Sequence, residues 1–374
     1  MEVKEVNALR ISLFENDWLP ERPTELTSIE GLEKDLWGFG YLWDEVVQTF
    51  STVEELYAAI QDIRDELRTL KEIFRSLSVD FPDYKIVPNG GRGVSGSYFL
   101  IDDEGRPLFV IKPLDEDAGC IDSDGWASPF HMSPVRSNMP LYRSAMREAL
   151  AYMIGETMGL DSIVPKTVLG VIESDQFHSL SDQVALNELR RYFELCGPED
   201  KEKLCSVQEY VPDAKSLFEA IHELERAHLS DEEIANRFDQ TNFEEANILL
   251  WTTYDTDGHM GNFLVYPKGA DEIGNEIFGL KKIDNSLAFP DKNRQMRNNL
   301  SYLPNAQRQL SAEGKAKIAA IDVDVLSLQL EQMGLGSAIP ALKERIPILQ
   351  ELAQRDGITL KEINTEMANI GNKR

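Results

Sequence analysis

The chain has 374 residues, 42% hydrophobic and 9% aromatic, with 38 Lys and Arg against 65 Asp and Glu for a formal net charge of −27. That length and composition describe a globular protein with room for two or three domains or lobes, each with a core of its own. So acidic a chain argues against bulk nucleic-acid binding, which needs a basic face to neutralise phosphate, and against general adhesion to anionic membrane.

The first residues, Met1-Glu2-Val3-Lys4-Glu5, contain neither a signal-peptide core nor the Gly needed for myristoylation. No apolar run approaches the ~18–20 residues of a membrane span. Cys120, Cys196 and Cys205 make no C-x-x-C, so neither a disulfide framework nor a zinc site is indicated and a reducing compartment is the simpler inference. The expectation is a soluble, cytoplasmic protein with no transmembrane segment, no nucleic-acid partner and at most peripheral membrane contact.

Pro20 and Pro23 mark a loop, and Trp37, Tyr41 and Trp43 a buried patch. From Thr52 to Leu77 the spacing predicts a helix: Val53, Leu56, Ile60, Ile63, Leu67, Leu70, Phe74 and Leu77 alternate by three and four, and Thr52 with Glu55 forms a capping box. Its stripe suits packing within its own domain or, alternatively, a coiled coil.

Between Gly90 and Gly96 four glycines fall in seven residues, ahead of a strand through Ile101. A turn at Asp102-Asp103-Glu104-Gly105 leads to the strand Leu108–Pro113, which carries Lys112 near its end. Kinases place a lysine after such a hairpin on the ATP phosphates, and glycines let backbone approach phosphate without a Cβ. Gly93, Ser95, Gly96 and Ser97 are the corresponding loop residues. No G-x-x-x-x-G-K-[ST] is present, so this is not a P-loop. Residues 115–140 read as an exposed loop, then Arg143–Leu160 as a helix whose Glu148 is the candidate partner of Lys112, with Glu156 as rival. Strands follow at Pro165–Ile172 and Leu204–Pro212; the second is the expected link between lobes, its backbone at Glu209, Tyr210 and Val211 serving adenine. From Lys215 the chain is mostly helical, ending in four helices over residues 311–374, the last capped by Thr359 and Glu362.

Residues 254–289 carry the chemistry. Asp257, His259 and Asn262 give D-x-H-x-x-N, followed by an apolar strand, a turn, and a second strand ending at Ile283-Asp284. Asp, Asn and Gly also cluster in ordinary turns. The strand and Ile-Asp at the right distance favour a phosphoryl-transfer layout, with one Asp orienting the attacking hydroxyl and an Asn and a second Asp on Mg²⁺. After Pro290 come Lys292, Arg294 and Arg297, basic residues in an acidic chain.

From about Gly90 to about Ala306 these pieces resemble the phosphatidylinositol 3-/4-kinase superfamily, nearest to the type II phosphatidylinositol 4-kinases and the plant gamma-type branch. The resemblance rests on Ser95-Gly96-Ser97-Tyr98-Phe99, Val110-Ile111-Lys112-Pro113, Arg147 through Tyr152, Ile163 through Thr167, Asp257 through Asn262, and Ile283 through Pro290. It implies an α+β, bilobal protein-kinase-like fold, with a helical extension over 1–82, a β-rich N-lobe over 83–211 and a helical C-lobe over 212–374. It further implies an ATP- and Mg²⁺-dependent kinase. Lys112 would contact the ATP phosphates, Glu148 would hold Lys112, Asp257 would serve the catalytic loop, and Asn262 and Asp284 would bind Mg²⁺. The basic loop would meet a phosphoinositide or another inositol-containing anion. A protein Ser/Thr kinase and a pseudokinase binding module are the alternatives. Two departures from the family pattern stand out: Gly258 replaces the usual Arg after the catalytic-loop Asp, and Cys120 stands alone where the type II enzymes carry a palmitoylated cysteine cluster.

Overall fold

The computed structural model describes residues 72–73, 75–80, 85–89, 97–114, 143–173, 202–293 and 296–370. Most of the helix expected over Thr52–Leu77, the loop residues Gly93, Ser95 and Gly96, and Arg294 lie outside the described residues. The fold is α+β, the class expected, and divides into two compact units. One gathers the residues up to Ala145 with Leu169–Val207; the other gathers Met146–Val168 with the chain from Gln208 onward.

The first unit is built on a six-stranded sheet. Strands β1 (Val79–Asp80), β2 (Lys85–Pro88), β3 (Tyr98–Ile101), β4 (Pro107–Pro113), β5 (Thr167–Glu173) and β6 (Glu202–Glu209) lie in the order β1-β5-β6-β4-β3-β2. β2, β3 and β4 form an antiparallel meander in which Val87 pairs with Phe99 and Phe99 with Val110. The expected turn between β3 and β4 forms: Asp102 N–H donates to Arg106 O at 3.0 Å and Gly105 N–H to Asp102 O at 2.9 Å. Gly105 sits at φ +80°, which a residue without Cβ adopts freely. Ile86, Tyr98, Leu100, Ile111, Leu169 and Val207 are buried and supply this unit's core.

The second unit holds helices α1 (Ser144–Thr157, from Met146 on), α2 (Leu217–Arg226), α3 (Asp231–Asn236), α4 (Gln240–Thr253), α5 (Ala312–Ala319), α6 (Val323–Gln332), α7 (Ile339–Ala353) and α8 (Leu360–Ile370). A small antiparallel sheet joins them, β7 (Lys215–Ser216), β8 (Phe263–Ala270) and β9 (Glu276–Lys282) in that order. Nearly all of α4 is buried; it starts at Asp239, whose side chain accepts the Asn242 N–H at 2.9 Å. It ends at Tyr254, which takes left-handed backbone at φ 52° and turns the chain into the loop that follows. Arg345 of α7 is fully buried beside that turn, its Nη2 donating to Thr252 O at 3.2 Å and its guanidinium lying 5.2 Å from the Tyr254 ring centre. Burial pushes this guanidinium down to about 9.

α4, α8 and the segment after β9 also meet through a buried amide cluster. Asn298 Nδ2 donates to Asn247 Oδ1 at 2.9 Å and to Asn364 Oδ1 at 2.6 Å, and Asn364 Nδ2 donates to Asn247 Oδ1 at 3.1 Å. Trp251 Nε1 adds a fourth hydrogen bond, donated to Asn364 Oδ1. Such groups stay buried because each finds a partner. No helix among the described residues is long and apolar enough to cross a membrane.

Candidate active site

The β8–β9 register sets the site. Phe263 pairs with Lys282, so the residues just before β8 lie beside those just after β9, and Ile283 N–H donates to Asn262 O at 2.9 Å. This brings the 254–262 loop and the Ile283-Asp284 turn together inside the second unit. Asn262 is buried at the end of a single 3₁₀ turn, and its Nδ2 donates to Asp257 O at 2.8 Å. That bond orients the amide and leaves its oxygen as the acceptor end. Asp284 has left-handed backbone at φ 55°, a conformation that Asp and Asn tolerate better than most residues. Its Oδ1 accepts the Ser286 hydroxyl at 3.0 Å.

Asp257 is the chemical centre of the loop. Burial pushes its carboxyl above the usual carboxylate range; His259 opposes this, Asp255 and Asp284 add to it, and Arg297 opposes it again. His259 Nδ1 accepts the Gly261 N–H at 3.0 Å, which assigns the proton of the neutral ring to Nε2, 3.7 Å from Asp257 Oδ2. Arg297 arrives from the segment after Pro290, with Nη1 3.3 Å from Asp257 Oδ1. That segment pairs with the loop: Gly258 N–H donates to Arg297 O at 3.1 Å and Asn299 N–H to Gly258 O at 2.9 Å. A Cβ at position 258 would stand 2.4 Å from Arg297 O, so this approach requires Gly. The departure from the family pattern therefore has a local cause.

Beneath the loop lies an ion pair that the sequence reading missed. Lys282 Nζ is 2.6 Å from Asp255 Oδ2, and both side chains are fully buried. The available signal was a pair of lysines at a strand end, the second two residues before Asp284, and an Asp two residues before Asp257. Glu148 of α1 is buried, and its Oε2 accepts the Asn285 N–H at 2.8 Å. Its rival Glu156 is exposed and accepts the Tyr152 hydroxyl at 3.3 Å.

The other expected residues are placed as follows. Ser97, immediately before β3, accepts from Asn89 Nδ2 at 3.1 Å, and Lys112 lies near the end of β4, half-buried. Glu209 ends β6, its N–H donating to Lys166 O at 2.8 Å, so that donor is not open to adenine; Tyr210 and Val211 follow. Lys292 is exposed.

Asp284 and Asn262 offer hard oxygen donors, the kind Mg²⁺ takes. Among the described residues no three His, Cys, Asp or Glu side chains gather as a metal cage. Mg²⁺ sites built on one or two carboxylates and the substrate's phosphates need no such cage. The crowding of Asp255, Asp257 and Asp284 is a further reason for a divalent cation to suit this place.

No family model matches the chain. It is 27% identical over 260 residues to phosphatidylinositol 4-kinase type 2-beta of Xenopus tropicalis, covering 59% of this chain and 52% of that protein. The chain resembles the type II phosphatidylinositol 4-kinases. The enzyme of the same name from Gallus gallus matches at 27% over 228 residues, 54% of this chain and 47% of that one. The Danio rerio enzyme matches at 27% over 261 residues, 59% and 50%. The chain thus spans about half the length of the relatives it matches. Among solved structures, a kinase domain of Mycobacterium tuberculosis matches at 14% identity and a TM-score of 0.27, covering 79% of this chain and 97% of that one, too loosely to bear on the site.

Proposed function

We propose that the protein is a kinase that transfers the γ-phosphoryl group of ATP, with Mg²⁺, to an inositol hydroxyl of a phosphoinositide lipid. The observation that carries this is the convergence of Asp257, Asn262 and Asp284 at the base of one β-hairpin, a carboxylate for the acceptor near two oxygen donors for a metal. The similarity to phosphatidylinositol 4-kinases supports the choice of acceptor.

In the reaction the acceptor hydroxyl oxygen forms a bond to the γ-phosphorus, the bond from that phosphorus to the β–γ bridging oxygen breaks, and ADP leaves with the electron pair. The hydroxyl proton passes to Asp257, whose raised carboxyl suits it as a base better than an ordinary surface aspartate. His259 and Arg297 flank that carboxylate and keep it aimed. Asn262 and Asp284 would hold Mg²⁺, which neutralises charge on the β- and γ-phosphates when bound. By resemblance, Lys112 serves the phosphates as well. Lys292 and Arg294 stand in the stretch that would meet the anionic headgroup. Their attraction survives the net charge of −27 because exposed charges beyond about 8–10 Å are screened.

The test incubates the protein with labelled ATP, Mg²⁺, vesicles containing phosphatidylinositol, and a generic protein substrate. Label in the lipid is the expected result. Label in the protein alone would favour a protein kinase, and no transfer at all would favour a binding module. Reversing Lys292 and Arg294 to Glu is expected to raise several-fold the vesicle concentration needed for half-maximal rate.

A further inference from the structure

We infer that Lys282 and Asp255 are positioning residues that clamp the Asp257 loop to the Asp284 turn, an assignment that rests on the kinase reading for its consequence but not for its geometry. An ammonium has three protons to donate. Lys282 donates to Ile283 O at 2.7 Å and Asp284 O at 2.9 Å, and its Nζ lies 2.6 Å from Asp255 Oδ2 as an ion pair. The other oxygen of the same carboxylate, Asp255 Oδ1, accepts the backbone N–H of Asp257 at 2.8 Å. One chain of contacts therefore runs from the Asp257 amide, through two fully buried charges, to the carbonyls of the two peptides that flank the Asp284 Cα.

Stability does not explain this pair. Two charges taken wholly out of water cost about as much as their attraction returns, and apolar side chains of similar volume are commonly as stable or more so. What the pair supplies and an apolar pair does not is direction: Lys282 fixes two carbonyls beside a non-glycine residue in left-handed backbone, φ 55° at Asp284, a strain that persists only where the surroundings enforce it. Both ends of the clamp lie two residues from a residue of the proposed chemistry, Asp255 from Asp257 and Lys282 from Asp284.

The experiment uses the full chain and three variants: Asp255→Leu, Lys282→Met, and both together. Each single change strands a buried charge and is expected to lower the melting temperature sharply; the double change, neutral and apolar, is expected to recover most of that loss. Hydrogen exchange on the metal-free protein then reads the clamp directly. In the wild type the Asp257 amide is expected among the slowly exchanging sites, and in the double variant it should exchange at least tenfold faster while amides of α4 stay protected. Turnover of the double variant should fall at least tenfold with the KM for ATP within threefold. Asp255→Asn with Lys282→Met, which restores an acceptor for the Asp257 N–H, should recover part of the protection. A wild-type Asp257 amide exchanging as fast as an exposed loop overturns the inference without any variant, and so does a double variant with wild-type protection and turnover. If the wild type transfers no phosphate, the kinase reading falls while the exchange measurement still decides the clamp.

Discussion

Glu148 accepts a 2.8 Å hydrogen bond from the backbone N–H of Asn285, the residue after Asp284. The carboxylate that the family resemblance assigns to Lys112 is thus also a stay for the turn proposed to bind Mg²⁺. At 1% exposure, its removal leaves a buried N–H unsatisfied, at a cost of about 1–3 kcal/mol. We expect Glu148→Ala to lower the melting temperature by several degrees and to reduce turnover, and Glu156→Ala to change neither. Equal effects from both variants would refute the assignment.

Asp284→Asn separates metal binding from folding. Asn accepts the left-handed backbone that Asp284 occupies, so stability should change by less than about 1 kcal/mol, whereas Ala at φ 55° adds strain of its own. Turnover should drop by orders of magnitude and lose its dependence on Mg²⁺ concentration. A steady-state titration with Mg²⁺ checks this, and near-normal turnover in the variant would remove Asp284 from the site.

Gly258 cannot be exchanged for the arginine seen in the family. A Cβ there meets Arg297 O at 2.4 Å, so even Gly258→Ala must push the paired segment away. Overpacking of this kind costs about 1–3 kcal/mol. Both Gly258→Ala and Gly258→Arg should unfold at lower temperature and turn over more slowly than wild type, by differential scanning calorimetry and initial rates. A faster Gly258→Arg enzyme would show that the segment yields.

The start of α8 should respond to acid. Thr359 N–H and Oγ1 both donate to Glu362 Oε2, at 2.8 and 2.9 Å, and the backbone hydrogen bond is the main reason the carboxyl lies below the usual glutamate range. A depressed folded value means that the stabilisation is complete above the unfolded pKa and is lost as pH falls through the folded one. Glu362→Gln should therefore melt below wild type at pH 7, and the gap should close as the pH falls through the lowered folded value. A gap that persists in acid would place the effect elsewhere.

Local pattern made much of this legible. The four helices after Ser311, the capping of α8 by Thr359 and Glu362, the Asp102–Gly105 turn and α4 running into the 254–262 loop all follow from periodicity and turn chemistry. Asp257, Asn262 and Asp284 were legible because their spacing along one hairpin fixes their distance in space. Lys282 and Asp255 were not. A lysine and an aspartate in sequence imply solvent, and only the closure of the hairpin puts both at zero exposure. Arg297 was read with Lys292 as part of a basic loop, but the parallel bridge between Gly258 and Asn298 turns it onto Asp257, a long-range pairing that no local pattern announces.

The amide cluster gives the site a history. Asn364, which braces Asn298 beside Gly258 and bonds both Trp251 and Asn247, is made 117 residues after Asn247. At about 5–20 residues per second of synthesis, that interval is about 6–23 s. For that time α4 and its loop exist on the nascent chain with an indole N–H that still lacks the side chain built to meet it. The 254–262 loop is thus the product of late docking: its precision is completed from the C-terminal side, after most of the unit that carries it has already been translated.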